Sequence, residues 1–225
     1  MIVNVAFIII SYFIGAFPHL YLLCKLHRLN TTGDLHINLW KGAGPLWGLI
    51  GVSIDVLKGA LTIWLAKTLE LDLSVIVACG LMAVMGQMWP VFSKFDGEKG
   101  NTTGLGMSIV LAYQPTLIAL IPVLFGLISK LVRLLNVKGQ SVKNRFRLGA
   151  GQSNALPIGI LIGFFIMPVA GFLLGEPTEI VTGFIVLFIL IIVRRLTAGL
   201  SEDLKNNRNL RSVLFNRFLY DRSQR

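Results

Sequence analysis

Charged side chains are scarce in this chain. Only 14% of its 225 residues are Asp, Glu, Lys or Arg, whereas hydrophobic residues make up 54% and the mean hydropathy is +0.73. A soluble domain carries roughly 25% charged residues, so the composition excludes an ordinary soluble domain. It predicts an all-α, polytopic membrane protein, because helices satisfy their own backbone hydrogen bonds in lipid.

Cysteine is nearly absent as well. The chain has two cysteines, Cys24 and Cys79, both in apolar surroundings, and three histidines. Two isolated cysteines exclude a disulfide framework, and without clustered histidines they do not form a metal site. We therefore expect two packing cysteines and predict neither a metal nor another cofactor.

Acidic residues are the rarer charged class. The chain has 11 Asp and Glu against 21 Lys and Arg, which gives a net charge of +10. The basic residues lie beside apolar runs rather than on a separate polar face. This placement indicates a partner in anionic membrane lipid and argues against a nucleic-acid partner.

Long apolar runs joined by short links fill most of the chain. Pro18 interrupts the first run and predicts a kink or a re-entrant end there. A single helix over residues 102–135 is possible, but Gln114-Pro115 favours a turn between two helices. About 20 apolar residues cross a bilayer, and we predict seven spans, the fourth of them short: residues 3–24, 46–66, 73–90, 102–113, 117–135, 155–174 and 180–193.

The charge distribution predicts an orientation. Links 25–45, 93–101 and 130–152 and the tail hold nearly all the Lys and Arg, so they face the cytoplasm and the N-terminus lies outside. Residues 1–200 then form one membrane domain. Residues 201–225 form a basic tail, which is either an amphipathic helix on the anionic leaflet or a solvated segment.

The link before the fourth span contains the most informative motif. Lys99 lies between Gly97 and Gly100, and a helix is predicted to start near Thr102. Unpaired amides at a helix N-terminus and an adjacent lysine are suited to bind an anion. The alternative is a glycine hinge with a lysine that reaches the membrane surface.

Two ionisable residues fall within the second span. Asp55 and Lys58 are three residues apart and therefore share a helix face. Charges inside a span are costly and are usually paired and turned into the bundle. The pair is either a structural ion pair or one wall of a functional cavity.

The polar residues of the cytoplasmic links favour phosphate chemistry. Cations and hydroxyl or amide donors bind phosphate oxygens and stabilise charge that develops during acyl transfer. No Ser-His-Asp or Cys-His arrangement, P-loop, or His with Asp five residues later is present. The candidate ligands are Lys99, Lys41, Asn38, Thr31, Thr32, Thr102 and Thr103.

Three stretches carry a resemblance to a known family. Residues 15–25 are similar to Gly-Ser-Ile-Pro-Phe-Gly-Tyr-Leu-Leu-Gly-Lys. Asn38–Lys41 is similar to Thr-Asn-Val-Leu-Arg, and Asp55–Gly59 is similar to Asp-Val-Leu-Lys-Gly. Residues 86–106 are similar to Gly-His-x-Phe-Pro-Val-Phe…Phe-x-Gly-Gly-Lys-Gly-x-Ala-Thr-Gly-Leu-Gly. Together these stretches resemble the bacterial, acyl-phosphate-dependent glycerol-3-phosphate acyltransferases of the PlsY type.

The resemblance implies a seven-span enzyme of the bacterial inner membrane with its active face towards the cytoplasm. Such an enzyme transfers a fatty acyl group from acyl phosphate to glycerol 3-phosphate and gives lysophosphatidic acid and phosphate. Lys99 and the Gly97–Gly100 amides, with Thr103, are then expected to bind phosphate. Lys41, Asn38 and Thr31 or Thr32 are expected to hold the acceptor, and Asp55 and Lys58 to shape the site. The base is either the substrate phosphate or His36.

The sequence also departs from the family pattern. Gln87 stands in place of His, Glu98 in place of a loop Gly and Lys41 in place of Arg. Ile189 and Ile192 occupy the positions of a His and an Asn near the end of the last span, where Arg194 is a candidate replacement that contacts phosphate. One alternative is therefore a catalytically impaired relative that binds lipid or acts as a scaffold. Another is a small transporter or channel, which draws only on the span count and the charges inside the spans.

Overall fold

The computed structural model describes residues 2–136, 154–206 and 209–221, and within these ranges it contains helices and no strand. The basic link, with Lys138, Lys143, Arg145 and Arg147, lies outside the described residues. The helices are α1 Ile2–Ala16, α2 His19–Leu26, α3 Leu35–Gly42, α4 Pro45–Thr68, α5 Leu73–Met88, α6 Asn101–Leu111, α7 Tyr113–Leu135, α8 Ala155–Leu173, α9 Thr178–Thr197, α10 Leu200–Asn206 and α11 Leu210–Tyr220, with a 3₁₀ turn at Val91–Ser93.

Six segments in the described part of the chain are long and apolar enough to cross a membrane. The predicted fourth span is α6, which has 11 residues and is therefore about 16 Å long. It lies beside α4 and runs in the same direction. Near its start, Thr103 Oγ1 donates to Asp55 O at 3.0 Å, and near its end, Val110 O accepts from Lys67 Nζ at 2.6 Å.

The first span is interrupted as predicted, since α1 ends at Ala16 and α2 begins at His19 after Pro18. The turn predicted at Gln114-Pro115 is wrong. The chain turns at Ala112, which is extended with φ −151° and ψ 99°, and both residues lie in the first turn of α7. Proline is tolerated there because an N–H in the first helical turn has no intrahelical partner.

Close backbone contacts at glycines hold the long helices together. An added Cβ on Gly15 would lie 1.8 Å from Ala83 O, and one on Gly86 would lie 2.1 Å from Tyr12 O, so α1 and α5 touch through their backbones. Gly59 and Gly106 do the same between α4 and α6. Small residues permit this approach, which replaces the hydrophobic driving force that is absent in lipid.

The predicted tail helix exists as α11, but it packs on the bundle. Val213 and Arg217 are buried. The Arg217 guanidinium donates to the carbonyl oxygens of Arg195 and Ala198 and pairs with Asp203. Arg217 therefore faces protein and not the lipid surface, and Arg208 and Arg222 lie outside the described residues.

The glycine contacts generate a test. An added Cβ at Gly59 would lie 2.0 Å from Thr103 O, a backbone atom that cannot move aside without shifting α6. We expect Gly59→Ala to destabilise the protein by about 1–3 kcal/mol, seen as a melting temperature several degrees lower in detergent. Gly171→Ala is the control, because its nearest contact would be an ordinary 3.6 Å. Equal melting temperatures would contradict the packing described here.

Candidate functional site

The loop after α5 folds back onto the end of that helix. The N–H of Gly97 donates to Met88 O at 3.2 Å, and the N–H of Glu98 donates to Gln87 O at 3.1 Å. A Cβ at Gly97 would lie 2.3 Å from Gln87 O, so this close approach requires glycine. The Gly97 amide is thus engaged within the loop.

Lys99 stands at the start of α6. Gly100 is the N-cap residue in the left-handed region at φ +75°, and the helix has no side-chain cap. The dipole of α6 places partial positive charge at this end, beside the Lys99 ammonium group. The start of α6, rather than the Gly97 amide, is therefore the part of this motif whose geometry suits an anion.

Arg194 holds the loop in place from α9. Its Nε donates to Glu98 O at 3.3 Å, and its Nη2 pairs with Asp96 Oδ1 at 2.8 Å and donates to Gly97 O. The Arg194 side chain is only 6% exposed. The residue predicted to contact phosphate therefore binds the loop that carries Lys99.

A buried carboxylate lies behind the loop. Asp55 has a fully buried side chain, and its carboxylate oxygens lie 3.0 Å from Nε2 of His36, 3.5 Å from Nε2 of His19 and 3.5 Å from Nζ of Lys58. A buried charge requires such partners, because desolvation without compensation costs several kcal/mol. The Asp55–Lys58 ion pair anticipated from the sequence is thus present, with two histidines added to it.

Lys58 and His19 also bind backbone oxygen atoms. Lys58 Nζ donates to the carbonyls of Gly15 and Phe17 at 3.2 and 2.7 Å, just before Pro18 breaks the first span. His19 Nε2 lies 3.1 Å from Gly51 O. The cluster therefore joins α1, α2, α3 and α4.

The segment before α3 is ordered by Asn38. Its Nδ2 donates to Asn30 O at 3.0 Å and to Thr32 O at 2.8 Å. Asp34 caps α3 by accepting from the N–H of Ile37 at 3.0 Å. Thr31 is half-buried in this segment, and Lys41 is exposed on α3, one turn after Asn38.

Glu98 links the loop to this segment. The pKa of the Glu98 carboxyl is raised to about 7, mainly because burial disfavours its charged form. His36 opposes the rise, and the carboxylates of Asp34 and Asp55 add to it. Burial alone lowers the pKa of His36, but the carboxylates of Asp55 and Glu98 outweigh burial and raise it. Glu98 and His36 therefore influence each other's protonation through their charges.

Two further candidate residues, Gln87 and Thr103, support the site from inside the helix bundle. Gln87 is buried, and its Nε2 is 3.4 Å from Thr102 Oγ1. Thr103 is fully buried and binds α4, so its hydroxyl is used in helix packing. Both residues support the loop and the start of α6. Ile189, in place of the family His, is half exposed and lies more than one helical turn before Arg194.

One contact of Lys99, an ion pair with Asp221, is not predicted from the sequence. Its Nζ lies 2.7 Å from Oδ2 of Asp221, the residue that ends α11. The two positions are 122 residues apart, and the tail is mostly basic, so nothing in the sequence pattern pointed to this pair.

An apolar cavity of about 140 Å³ adjoins the same end of α6. Asn101 and Thr102, which follow Lys99 and Gly100, form its polar margin. Its other lining residues come from α6, α7 and α8 and are mainly aliphatic or aromatic, including Leu105, Leu120, Phe164 and Met167. Within the described ranges, no group of three or more His, Cys, Asp or Glu side chains is placed to hold a metal ion.

Long apolar helices, a lysine at an uncapped helix start and an adjacent apolar cavity define a class: integral membrane proteins with a candidate site whose charge and shape suit an anionic, lipid-like ligand. The profile of the glycerol-3-phosphate acyltransferase family matches residues 5–199. The chain belongs to this family, in its PlsY type, and thus to the membrane acyltransferases of phospholipid biosynthesis.

Individual relatives agree with this assignment. Glycerol-3-phosphate acyltransferase 4 of Dehalococcoides mccartyi (strain CBDB1) is 36% identical over 224 residues, which cover 96% of this chain and 87% of the relative. The crystal structure of PlsY (YgiH) in its lysophosphatidic acid form is similar in fold, with a TM-score of 0.68 at 21% identity over 97% of each chain. Its glycerol 3-phosphate form gives a TM-score of 0.67 at 22% identity, over 91% of this chain and 93% of that one.

The Glu98 environment predicts a pH-dependent stability. Folding raises the pKa of this carboxyl from 4.5 to about 7, so the folded chain holds the proton more tightly than the unfolded chain. Stability is therefore lost as pH rises through this window, and Glu98→Gln removes the loss. We expect the variant to melt at a higher temperature than the parent at about pH 8, with the gap closing towards about pH 4.5.

Glu179→Gln, at an exposed carboxylate on α9, is the control and is expected to track the parent at both pH values. A Glu98→Gln variant that is less stable than the parent at the higher pH would show that the charged form is favoured by folding, contrary to this description.

Proposed function

We propose that this protein transfers a fatty acyl group from acyl phosphate to glycerol 3-phosphate and releases lysophosphatidic acid and inorganic phosphate. The observation that carries the proposal is the position of Lys99 at the uncapped start of α6, between a polar loop and an apolar cavity. An acyl phosphate has a dianionic head on an apolar chain, and these two parts match the two sides of that helix start. The name of the family supports the acceptor.

Lys99 and the first-turn amides of α6 bind the phosphate of the donor in this proposal. Charge on that phosphate increases as the acyl–oxygen bond breaks, so donors fixed at this point stabilise the transition state. Gly97, Gly100 and Arg194 set the loop geometry, while Gln87 and Thr103 hold the loop against α4 and α5. The acyl chain enters the cavity among α6, α7 and α8.

Lys41 and Asn38, with Thr31 and Thr32, hold the acceptor phosphate near α3. The acceptor hydroxyl attacks the acyl carbonyl carbon, the carbon–oxygen bond to phosphate breaks, and the departing phosphate takes the hydroxyl proton. His36 is the alternative base. Its Nε2 faces Asp55 and its Nδ1 is buried without a partner among the described residues, which favours the substrate phosphate as base.

The chain crosses the membrane seven times in this proposal, with α6 as the short fourth crossing. The contact of Val110 with Lys67, at the far end of α4, supports this count, because α6 carries the chain from the loop to the opposite end of the bundle. The basic links support a site on the cytoplasmic side of a bacterial inner membrane, with the N-terminus outside and the C-terminus inside.

A second candidate is a relative with impaired catalysis that binds lipid or acts as a scaffold. The observation in its favour is the carboxylate of Asp221 on Lys99. An assay of phosphate release separates the two functions, because a lipid-binding protein does not release phosphate from acyl phosphate.

The catalytic proposal predicts a loss of activity on removing one cation. With palmitoyl phosphate and labelled glycerol 3-phosphate, we expect Lys99→Ala to lower phosphate release at least ~100-fold, the loss typical of removing one group that stabilises transition-state charge. Lys94→Ala, an exposed lysine in the same loop, is the matched control and retains activity. A wild-type protein that is as inactive as Lys99→Ala with several polyol phosphates would refute catalysis.

The proposed orientation is tested by labelling. Cys24 and Cys79 are buried and are first replaced by Ala. In spheroplasts, a membrane-impermeant maleimide is expected to label Glu179→Cys but not Lys41→Cys, and in inverted vesicles the reverse. The opposite pattern would place the candidate site outside the cell.

A further inference from the structure

The C-terminal helix brings a carboxylate onto the lysine of the candidate site. Asp221 Oδ2 lies 2.7 Å from Lys99 Nζ, with side chains that are 13% and 37% exposed. Asp221 adopts a left-handed conformation, φ +57°, and its N–H closes the last turn of α11 by donating to Arg217 O at 3.0 Å. Aspartate tolerates this conformation better than most residues.

The register of this contact is fixed by buried groups one turn earlier. Arg217 binds the carbonyls of Arg195 and Ala198 and pairs with Asp203. Arg195 in turn donates to Phe218 O at 3.3 Å and to Pro157 O at 3.0 Å, which joins α11 to α8 and α9. Val213 is fully buried beneath the same helix. The Asp221 carboxylate is therefore held at the site by a docked helix.

We propose that Asp221 determines specificity by competing with ligand anions for Lys99. The inference rests on the assignment of Lys99 to phosphate in the proposed function. Without ligand, the Asp221 carboxylate forms an ion pair with the Lys99 ammonium group. A ligand binds only if its anion displaces that carboxylate.

The charge of an anion determines whether it can displace the Asp221 carboxylate from Lys99. A phosphate monoester carries about −1.5 to −2 charges at neutral pH and three acceptor oxygens, whereas a carboxylate carries one charge. A ligand carboxylate must displace the Asp221 carboxylate, which is the same chemical group and is held close to Lys99 by α11. A group on a short tether has an effective concentration in the millimolar range. Asp221 thus lets phosphate monoesters and acyl phosphates bind and excludes fatty-acid carboxylates, which have the same chain but a weaker head.

The test measures binding to the purified, full-length protein in detergent by isothermal titration. The probes are inorganic phosphate, glycerol 3-phosphate and octanoate, which separate a free phosphate, a phosphate ester and a carboxylate. For Asp221→Asn, we expect phosphate and glycerol 3-phosphate to bind about three to five times more tightly, the gain that corresponds to losing one partly exposed ion pair. Octanoate is expected to bind this variant measurably and the parent much more weakly.

Two controls make the result specific. Asp221→Glu keeps the charge and is expected to bind all three probes as the parent does. Asp72→Asn, an exposed aspartate before α5 at the other end of the bundle, changes net charge equally and is expected to have no effect. Unchanged or weaker phosphate binding by Asp221→Asn would overturn the inference, since Asp221 would then be inert or would position Lys99.

The binding readout is independent of turnover. If the parent does not transfer acyl groups but Asp221→Asn gains phosphate affinity, the proposed function fails and the inference stands. If acyl transfer is observed and the affinity of Asp221→Asn is unchanged, the inference fails alone.

Discussion

The buried carboxylate of Asp55 determines how several helices of this structure pack together. Asp55 is fully buried within an apolar helix, and its charge requires compensation that lipid does not supply. Its partners come from three helices, and its backbone oxygen accepts from Thr103 of a fourth. Because Lys58 also binds the carbonyls of Gly15 and Phe17 beside Pro18, the kink in the first span and the placement of α6 depend on the same cluster.

The candidate site lies on this foundation. The start of α6 is fixed against α4 by Thr103, and the preceding loop is fixed by the end of α5 and by Arg194. Lys99 is thereby held at the end of a helix dipole, while its own side chain remains partly accessible. A rigid support for a reachable cation suits the proposed recognition of a phosphate, since donors fixed in advance need no reorganisation when the ligand arrives.

One departure from the family pattern, Glu98 in place of a loop glycine, affects the charges of α3. Burial disfavours the charged form of the Glu98 carboxyl and raises its pKa, and His36 of α3 opposes that rise. The carboxylates of Asp55 and Glu98 in turn raise the pKa of His36. The loop and α3 are thus coupled here by the charges of their side chains.

The sequence alone determined the class of fold, the six long apolar spans of the described residues and the motif around Lys99. These features follow from composition, from apolar runs long enough to cross a bilayer and from the local chemistry of glycine, proline and lysine, which act over a few residues. The sequence also indicated the Asp55–Lys58 pair, because residues three apart share a helix face.

Only the tertiary structure decided what those groups contact. It placed the histidines on Asp55, turned Arg194 onto the loop, moved the break before α7 to Ala112 and brought Asp221 onto Lys99. Each of the side-chain contacts joins different elements of the fold, and local sequence patterns carry no information on how distant elements approach one another. Their pairing follows from helix packing and from the cost of leaving charge unpaired inside the bundle.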